Sequence, residues 1–201
     1  MWDERYRADG YAYGTAPNDF LVEVVDRLPP AARVISLAEG EGRNAVFLAE
    51  RGHRVVAIDS SAVGLRKATA LAQARGVALE VVVADLADEP KADADSEAHV
   101  DVVVSIWAHV PPPLRADLHA RVEALLRPGG LFVVEAYRPE QTSRSTGGPK
   151  DPALCMTAER LRRELPQLDW LILEETTRTV HEGAFHEGES DVVRGLGVRR
   201  A

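Results

Sequence analysis

Cysteine is nearly missing from this chain: Cys155 is the single one, so no disulfide can form within it. That fits a reducing compartment. Long apolar runs are missing too, and none approaches the roughly 20 residues that span a bilayer. Met1 is followed by Trp2-Asp3-Glu4-Arg5 rather than a basic region and an apolar segment, so no secretory signal is expected. A cytoplasmic protein with no membrane partner is the expectation. Positive charge is scarce: 24 Lys and Arg stand against 32 Asp and Glu, giving a net charge of −8 and a pI near 5.3. The arginines of Arg160–Arg163 are interrupted, and Arg199-Arg200 is a short pair. An acidic chain without a basic patch repels a polyphosphate, so no nucleic-acid partner is expected. Aromatics are few, yet five of the eleven (Trp2, Tyr6, Tyr11, Tyr13 and Phe20) fall in the first twenty residues. They are interleaved with charges and glycine, in neither a helical nor a strand pattern, and such a segment must dock on something to be ordered.

What the chain does have is alternation. Residues 33–37, 55–58, 77–84, 101–106, 131–137, 168–175 and 191–198 read as strands. Helices are expected at 44–51, at 60–75 with Ser60 as its cap, around Leu114, Leu118, Val122 and Leu125, and at 157–165. Arg127-Pro128-Gly129-Gly130 ends the third of these. Strands alternating with helices predict parallel βαβ units in an α/β, Rossmann-like, doubly wound sheet. No second-domain boundary is visible, only polar loops at 87–98 and 138–152. A single domain over 1–201 is expected, with 1–29 as a lid segment packed on it.

The first strand runs into Leu37-Ala38-Glu39-Gly40-Glu41-Gly42-Arg43-Asn44-Ala45 and then a helix. Glycines there allow a sharp turn and close approach of a ligand, placed at the carboxyl ends of the strands. Gly40-x-Gly42-x-x-Ala45 formally satisfies a dinucleotide motif, and Asp59 lies near the expected ribose position. The turn alone therefore admits a nicotinamide cofactor, or no ligand at all. Three features tilt it toward S-adenosylmethionine (SAM). Glu39 would oppose a pyrophosphate, but SAM carries no phosphate and ends in a cationic amino acid. Asp85 closes the third strand, where an acid can bond an adenine amino group. A Pro-Gly-Gly turn precedes the fifth strand, with two more strands to follow.

LAEGEGRNAVFLAERGHRVVAID, VVADL and RPGG, with WDERY and YAYGTAPNDFL ahead of them, resemble the class I SAM-dependent methyltransferases over nearly the whole chain. The nearest subgroup is the small TehB-like methyltransferases, with a looser similarity to thiol methyltransferases. The resemblance implies a seven-stranded, mostly parallel sheet with its last strand antiparallel. It implies SAM as donor and S-adenosylhomocysteine as product. It places Glu39, Gly40, Gly42 and Asn44 by the methionine part, Asp59 on the ribose hydroxyls, and Ser60, Asp85 and Leu86 by the adenine. Ile106 would pass beneath the methionyl group, and Tyr11 and Tyr13 would lie in the lid. Where the class has Asp in its first motif, this chain has Glu39 or glycine.

Methyl transfer is an in-line displacement in which positioning does much of the work. A general base helps when the nucleophile is protonated at neutral pH. His109, after the fourth strand, is the candidate base or orienting group, and Tyr137 at the end of the fifth strand is a second catalytic candidate. Trp107 is a candidate pocket wall, and Arg144 in the 138–152 loop could attract an anionic substrate. His181-Glu182-Gly183 and His186-Glu187-Gly188 lack metal-site spacing, so no metal is expected; His181 is taken as a possible substrate contact. Acids at 88–97 read as a solvated loop, and Cys155 as buried packing. The expected function is methyl transfer to a small molecule, with a sulfur, selenium or tellurium nucleophile ahead of oxygen or nitrogen, by a monomer or homodimer. The rivals are a nicotinamide-dependent oxidoreductase and a non-catalytic SAM-binding module.

Overall fold

The computed structural model describes residues 2–88 and 99–201. The acidic loop expected at 88–97 falls, from residue 89, outside the described residues.

Seven strands form one sheet: β1 (Arg33–Leu37), β2 (Arg54–Asp59), β3 (Glu80–Val83), β4 (Val100–Ile106), β5 (Leu126–Tyr137), β6 (Leu168–His181) and β7 (Glu187–Arg199). Their order is β3-β2-β1-β4-β5-β7-β6. The first five pair in parallel, while β7 runs antiparallel to both β5 and β6. This is the α/β sheet with an antiparallel last strand that the sequence led us to expect. The helices are α1 (Trp2–Arg5), α2 (Asp19–Val24), α3 (Arg43–Glu50), α4 (Ala62–Ala74), α5 (Pro112–Leu125) and α6 (Ala158–Glu164). No helix among the described residues is long and apolar enough to cross a membrane.

Strand alternation divides the core between two faces, because successive side chains point to opposite sides. Val102, Val104 and Ile106 of β4, with Leu131 and Val133 of β5, pack with residues of α2, α3 and α4. Val103, Phe132, Val134 and Ala136 pack with Leu118 and Val122 of α5 and Leu161 of α6. Burial on both faces explains the valine runs in the central strands. The strand order reverses between β1 and β4, and their carboxyl ends part there to leave a crevice.

Four expectations shift. Within the segment expected as a lid, α2 sends one face into the core: Asn18 caps it through the Leu21 amide, and Phe20, Leu21 and Val24 are fully buried. Each such burial stabilises by roughly 1.5–3 kcal/mol. Helix α4 is capped by Ser61, whose hydroxyl accepts from the Gly64 amide at 3.0 Å, not by Ser60. Strand β5 starts at Leu126, which pairs with Val100 before the Pro-Gly-Gly segment breaks the register. Strands β6 and β7 extend to His181 and back to Glu187, leaving a tight turn at 182–186.

Candidate functional site

A cavity of about 750 Å³ opens at the carboxyl ends of the strands, where the order reverses. Its size suits a small-molecule site. Sequence places its walls there because each parallel strand hands over to a loop at this edge.

The glycine-rich turn leaves β1 at Ala38, which adopts a left-handed backbone with φ 51°. Glu39 then folds back over the start of α3. Its Oε1 accepts from the amides of Asn44 (3.0 Å) and Ala45 (2.9 Å), and Oε2 accepts from the Ser36 hydroxyl. Burial pushes the Glu39 carboxyl up, while Ser36 and the helix amides hold it down; the net shift is upward. The amides at a helix N-terminus are the natural seat of a phosphate. Here the chain's own carboxylate occupies them.

The two glycines do not line the cavity. Gly40 lies under Tyr6, and a Cβ there would come within 2.6 Å of its hydroxyl. Gly42, at φ 95°, faces α4, and a Cβ would meet Ala68 at 2.5 Å. They permit close packing of Tyr6 and of α4, and neither lines the cavity, contrary to the expectation for both.

At the end of β2, Asp59 lines the cavity and is 6% exposed. Its oxygens accept from the amides of Gly40 (2.9 Å) and Ser61 (2.7 Å), which fix the carboxylate and leave lone pairs free. Burial pushes its carboxyl up, against those two hydrogen bonds. Ser60, Asp85 and Leu86 line the same end, and Asn44, Ile106 and Trp107 continue the wall. Tyr13 lines the cavity; Tyr11 packs instead against Lys67, outside it. Tyr6, which the sequence did not single out, closes this end and is 5% exposed. Its signal was the position of a third tyrosine in the same aromatic segment.

The opposite end is aromatic. Trp107, left-handed at φ 59°, stacks on Tyr137 at 4.3 Å and on His109 at 6.3 Å. Its indole N–H donates to Glu182 Oε2 at 2.5 Å. Glu182 also accepts from Arg43 (2.5 Å), Asn18 (2.8 Å) and Arg178 (3.2 Å). Arg178 and Asn18 in turn bind the fully buried Glu135. Burial works to raise the Glu182 carboxyl, but His186, Arg43 and Trp107 beside it bring it well below the usual range. The roof joins distant parts of the chain: Tyr13 packs on Phe185 at 5.8 Å and on His186 at 4.7 Å, and the Ala184 amide bonds the Ala12 carbonyl at 3.2 Å.

Several sequence candidates sit elsewhere or are engaged. His109 lines the cavity, but Nδ1 faces the Trp107 carbonyl at 3.0 Å and Nε2 accepts from the Tyr137 amide at 3.0 Å. Burial pushes it down to about 4. With both nitrogens spent on backbone, it shapes the wall and has no lone pair for a substrate proton. Tyr137 is fully buried behind Trp107, its hydroxyl without a partner, and does not line the cavity. Arg144 is claimed by Asp191 and Glu189, away from the cavity. His181 is exposed and pairs with Glu187 at 2.6 Å. His186, not His181, is the histidine of that turn which reaches the cavity. Among the described residues no group of three or more His, Cys, Asp or Glu side chains is placed to hold a metal.

This fold and this crevice define the class I methyltransferase architecture. Residues 34–130 match a family model described as a methyltransferase domain. Among curated proteins, a tRNA 5-carboxymethoxyuridine methyltransferase from Escherichia coli is 32% identical over 113 residues, 54% of this chain and 41% of that protein. The chain thus spans well under half of that relative's length. Among solved structures, one reported for conversion of a disulfide bond into a thioacetal group during echinomycin biosynthesis aligns with TM-score 0.78 at 18% identity, covering 99% of this chain and 90% of that one. TehB from Haemophilus influenzae aligns with TM-score 0.72 at 14% identity, covering 100% and 66%. The N-methyltransferase NodS from Bradyrhizobium japonicum, in complex with S-adenosyl-L-homocysteine, aligns at 0.66 and 12%, covering 90% and 84%.

Proposed function

We propose that this protein transfers a methyl group from SAM to a small molecule, with a thiol as the favoured acceptor. The observation that carries the donor is Glu39. A carboxylate bonded to the first amides of α3 bars a pyrophosphate from the seat a dinucleotide needs, and so works against a nicotinamide cofactor. A donor with no phosphate meets no such conflict. Asp59 and Asp85 at successive strand ends supply acceptors for ribose hydroxyls and an adenine amino group. Bound there, SAM would supply an activated methyl on a sulfonium. The chain's part is to orient the acceptor, exclude water and take up a proton.

The acceptor reading rests on the other end. Its aromatic walls suit an apolar molecule, and with Arg144 engaged elsewhere the support for a chalcogen oxyanion weakens while that for a thiol stands. The name of the E. coli relative raises an RNA nucleoside as a second reading. The net charge of −8 works against it.

Titration calorimetry with SAM, S-adenosylhomocysteine and NADP tests the donor. SAM and its product should bind and NADP should not; binding of NADP alone would overturn the reading. Asp59→Ala should weaken SAM about tenfold or more, since two hydroxyls lose a charged acceptor worth roughly 1.5–3 kcal/mol. A product-mass screen with labelled SAM over thiols, tellurite, phenols, amines and tRNA identifies the acceptor.

A further inference from the structure

We propose that His186, oriented by Glu182, accepts the proton of an uncharged aromatic acceptor that carries an ionisable X–H group, a thiol first among them. The proposal rests on the methyl-transfer reading above and names its base and its acceptor class.

The base follows from what each group in the cavity is already doing. His109 has both nitrogens on backbone partners. Glu39 holds α3 and Ser36. His186 is different. It lines the cavity, is 8% exposed, and is wedged at 4.7 Å from Tyr13, 5.2 Å from Trp107 and 5.4 Å from Tyr137. Its Nδ1 is buried without a hydrogen-bond partner and lies 3.9 Å from Glu182 Oε2. That is too long for a hydrogen bond, yet no other acceptor satisfies it. An Nδ1–H turned toward Glu182 leaves the lone pair on Nε2.

Glu182 is fit to hold that ring. Four donors from four parts of the chain fix its two oxygens: Asn18, Arg43, Trp107 and Arg178. The charges that reach His186 are Glu182 on its own turn, Arg43 on α3 and Arg5 on α1; the rings of Tyr13, Tyr137 and His109 pack nearby. Burial, Arg43 and Arg5 favour the neutral ring, and Glu182 opposes them. The net direction is downward, so the base is unprotonated at neutral pH.

The acceptor class follows from the cations. The two that line the cavity among the described residues are Arg5 and Arg43. Arg43 is bonded to Glu182, and Arg5 donates to the Tyr13 hydroxyl at 2.8 Å and lies over the Trp2 and Phe185 rings. Arg43 is thereby spent on Glu182, which leaves Arg5 as the one cation lining the cavity, among the described residues, to be shared between the carboxylate of SAM and an anionic acceptor. The walls offered are aromatic faces, which suit a planar, uncharged molecule.

In the step, the lone pair of the acceptor atom bonds to the methyl carbon. The bond from that carbon to the donor sulfur breaks, and its electron pair stays on sulfur. The acceptor's X–H proton passes to Nε2, forming an imidazolium beside the Glu182 carboxylate, and leaves to water after product release.

Two measurements test this. On the unliganded protein, long-range proton–nitrogen NMR of the His186 ring at pH 7.5 should show a neutral ring protonated at Nδ1. A ring protonated at Nε2 would overturn the proposal without any acceptor being needed. Glu182→Gln, if it folds, should move the proton toward Nε2. For turnover, benzyl mercaptan, 4-methoxyphenol and anionic mercaptoacetate serve as probes with SAM. Wild-type protein should methylate benzyl mercaptan, and mercaptoacetate at least tenfold more slowly. His186→Gln should lower kcat about 100-fold or more, flatten the acid limb of its pH profile, and leave the Kd for SAM within twofold. Equal turnover by His186→Gln, preference for mercaptoacetate, or SAM binding with no turnover of either uncharged probe would each sink it. Loss of SAM binding in the wild-type protein would instead sink the methyl-transfer reading beneath it.

Discussion

Gly42→Ala, set beside Gly52→Ala, isolates what the glycine-rich turn is for. Both glycines have left-handed backbones, at φ 95° and φ 87°, at opposite ends of α3. Alanine at such a position costs about 1–2 kcal/mol in backbone strain. There the likeness ends. A Cβ at Gly52 meets nothing within 4 Å, whereas one at Gly42 would come to 2.5 Å from the Ala68 Cβ and 2.6 Å from its Cα. That obstacle is helix backbone, so α4 must move, at about 1–3 kcal/mol for overpacking. Gly42→Ala should therefore cost about 2–5 kcal/mol in all. At about 2–4 °C per kcal/mol for a chain of this size, it should melt roughly 4–20 °C below wild type, and Gly52→Ala roughly 2–8 °C below. Thermal unfolding followed by circular dichroism reads both. If the two variants melt within about 2 °C of each other, α4 does not require Gly42 and the assignment is wrong. A large loss of SAM affinity by Gly42→Ala with no loss of stability would return the glycine to ligand approach.

Three further outcomes follow from the side chains. His109 is held neutral at about 4 in the fold against 6.5 in the free side chain. The unfolded chain takes up that proton first, so the stability this group contributes is full above pH 6.5 and declines toward pH 4, by about 1.4 kcal/mol per unit. Urea unfolding at pH 7.5 and 5.5 should thus show a loss about 1 kcal/mol larger in wild type than in His109→Gln; equal losses would refute the buried neutral ring. Arg144→Ala should leave SAM affinity and benzyl mercaptan turnover within twofold of wild type, because its guanidinium serves Asp191 and Glu189; a larger loss of turnover would bring it back to the site. Tyr6→Ala should speed SAM dissociation severalfold in stopped-flow, since its ring closes the end of the cavity beside Gly40; an unchanged off-rate would leave Tyr6 a packing residue alone.

The sheet was legible because its central strands are buried on both faces, and runs such as Val102-Val103-Val104 have few other uses. The acids at the strand ends were legible for the same reason: once β2 is placed, Asp59 has one possible edge. The short α1 and α2 were not, since four and six residues carry too little periodicity to read. His109 lines the cavity, yet its chemistry depends on two backbone groups, one of them 28 residues away on β5. The choice between His181 and His186 turned on where β6 ends. Its outer half, Thr176 to Val180, pairs with the early part of β7, and that register fixes which histidine points inward. Arg144 looked free in the sequence because its partners lie more than forty residues on.

The roof of the cavity, where Tyr13 meets Phe185 and Ala184 meets Ala12, also sets a time at which the site comes into being. These contacts close a loop of more than 170 residues, so they are among the last that chain entropy allows. A chain still leaving the ribosome could assemble β1, β2 and their acids, yet would have no ceiling over them until the β6–β7 turn emerged. A closed site is thereby expected only once β6 and β7 have paired. Adding SAM during refolding should accelerate nothing until the sheet is whole, and should then trap the finished molecule.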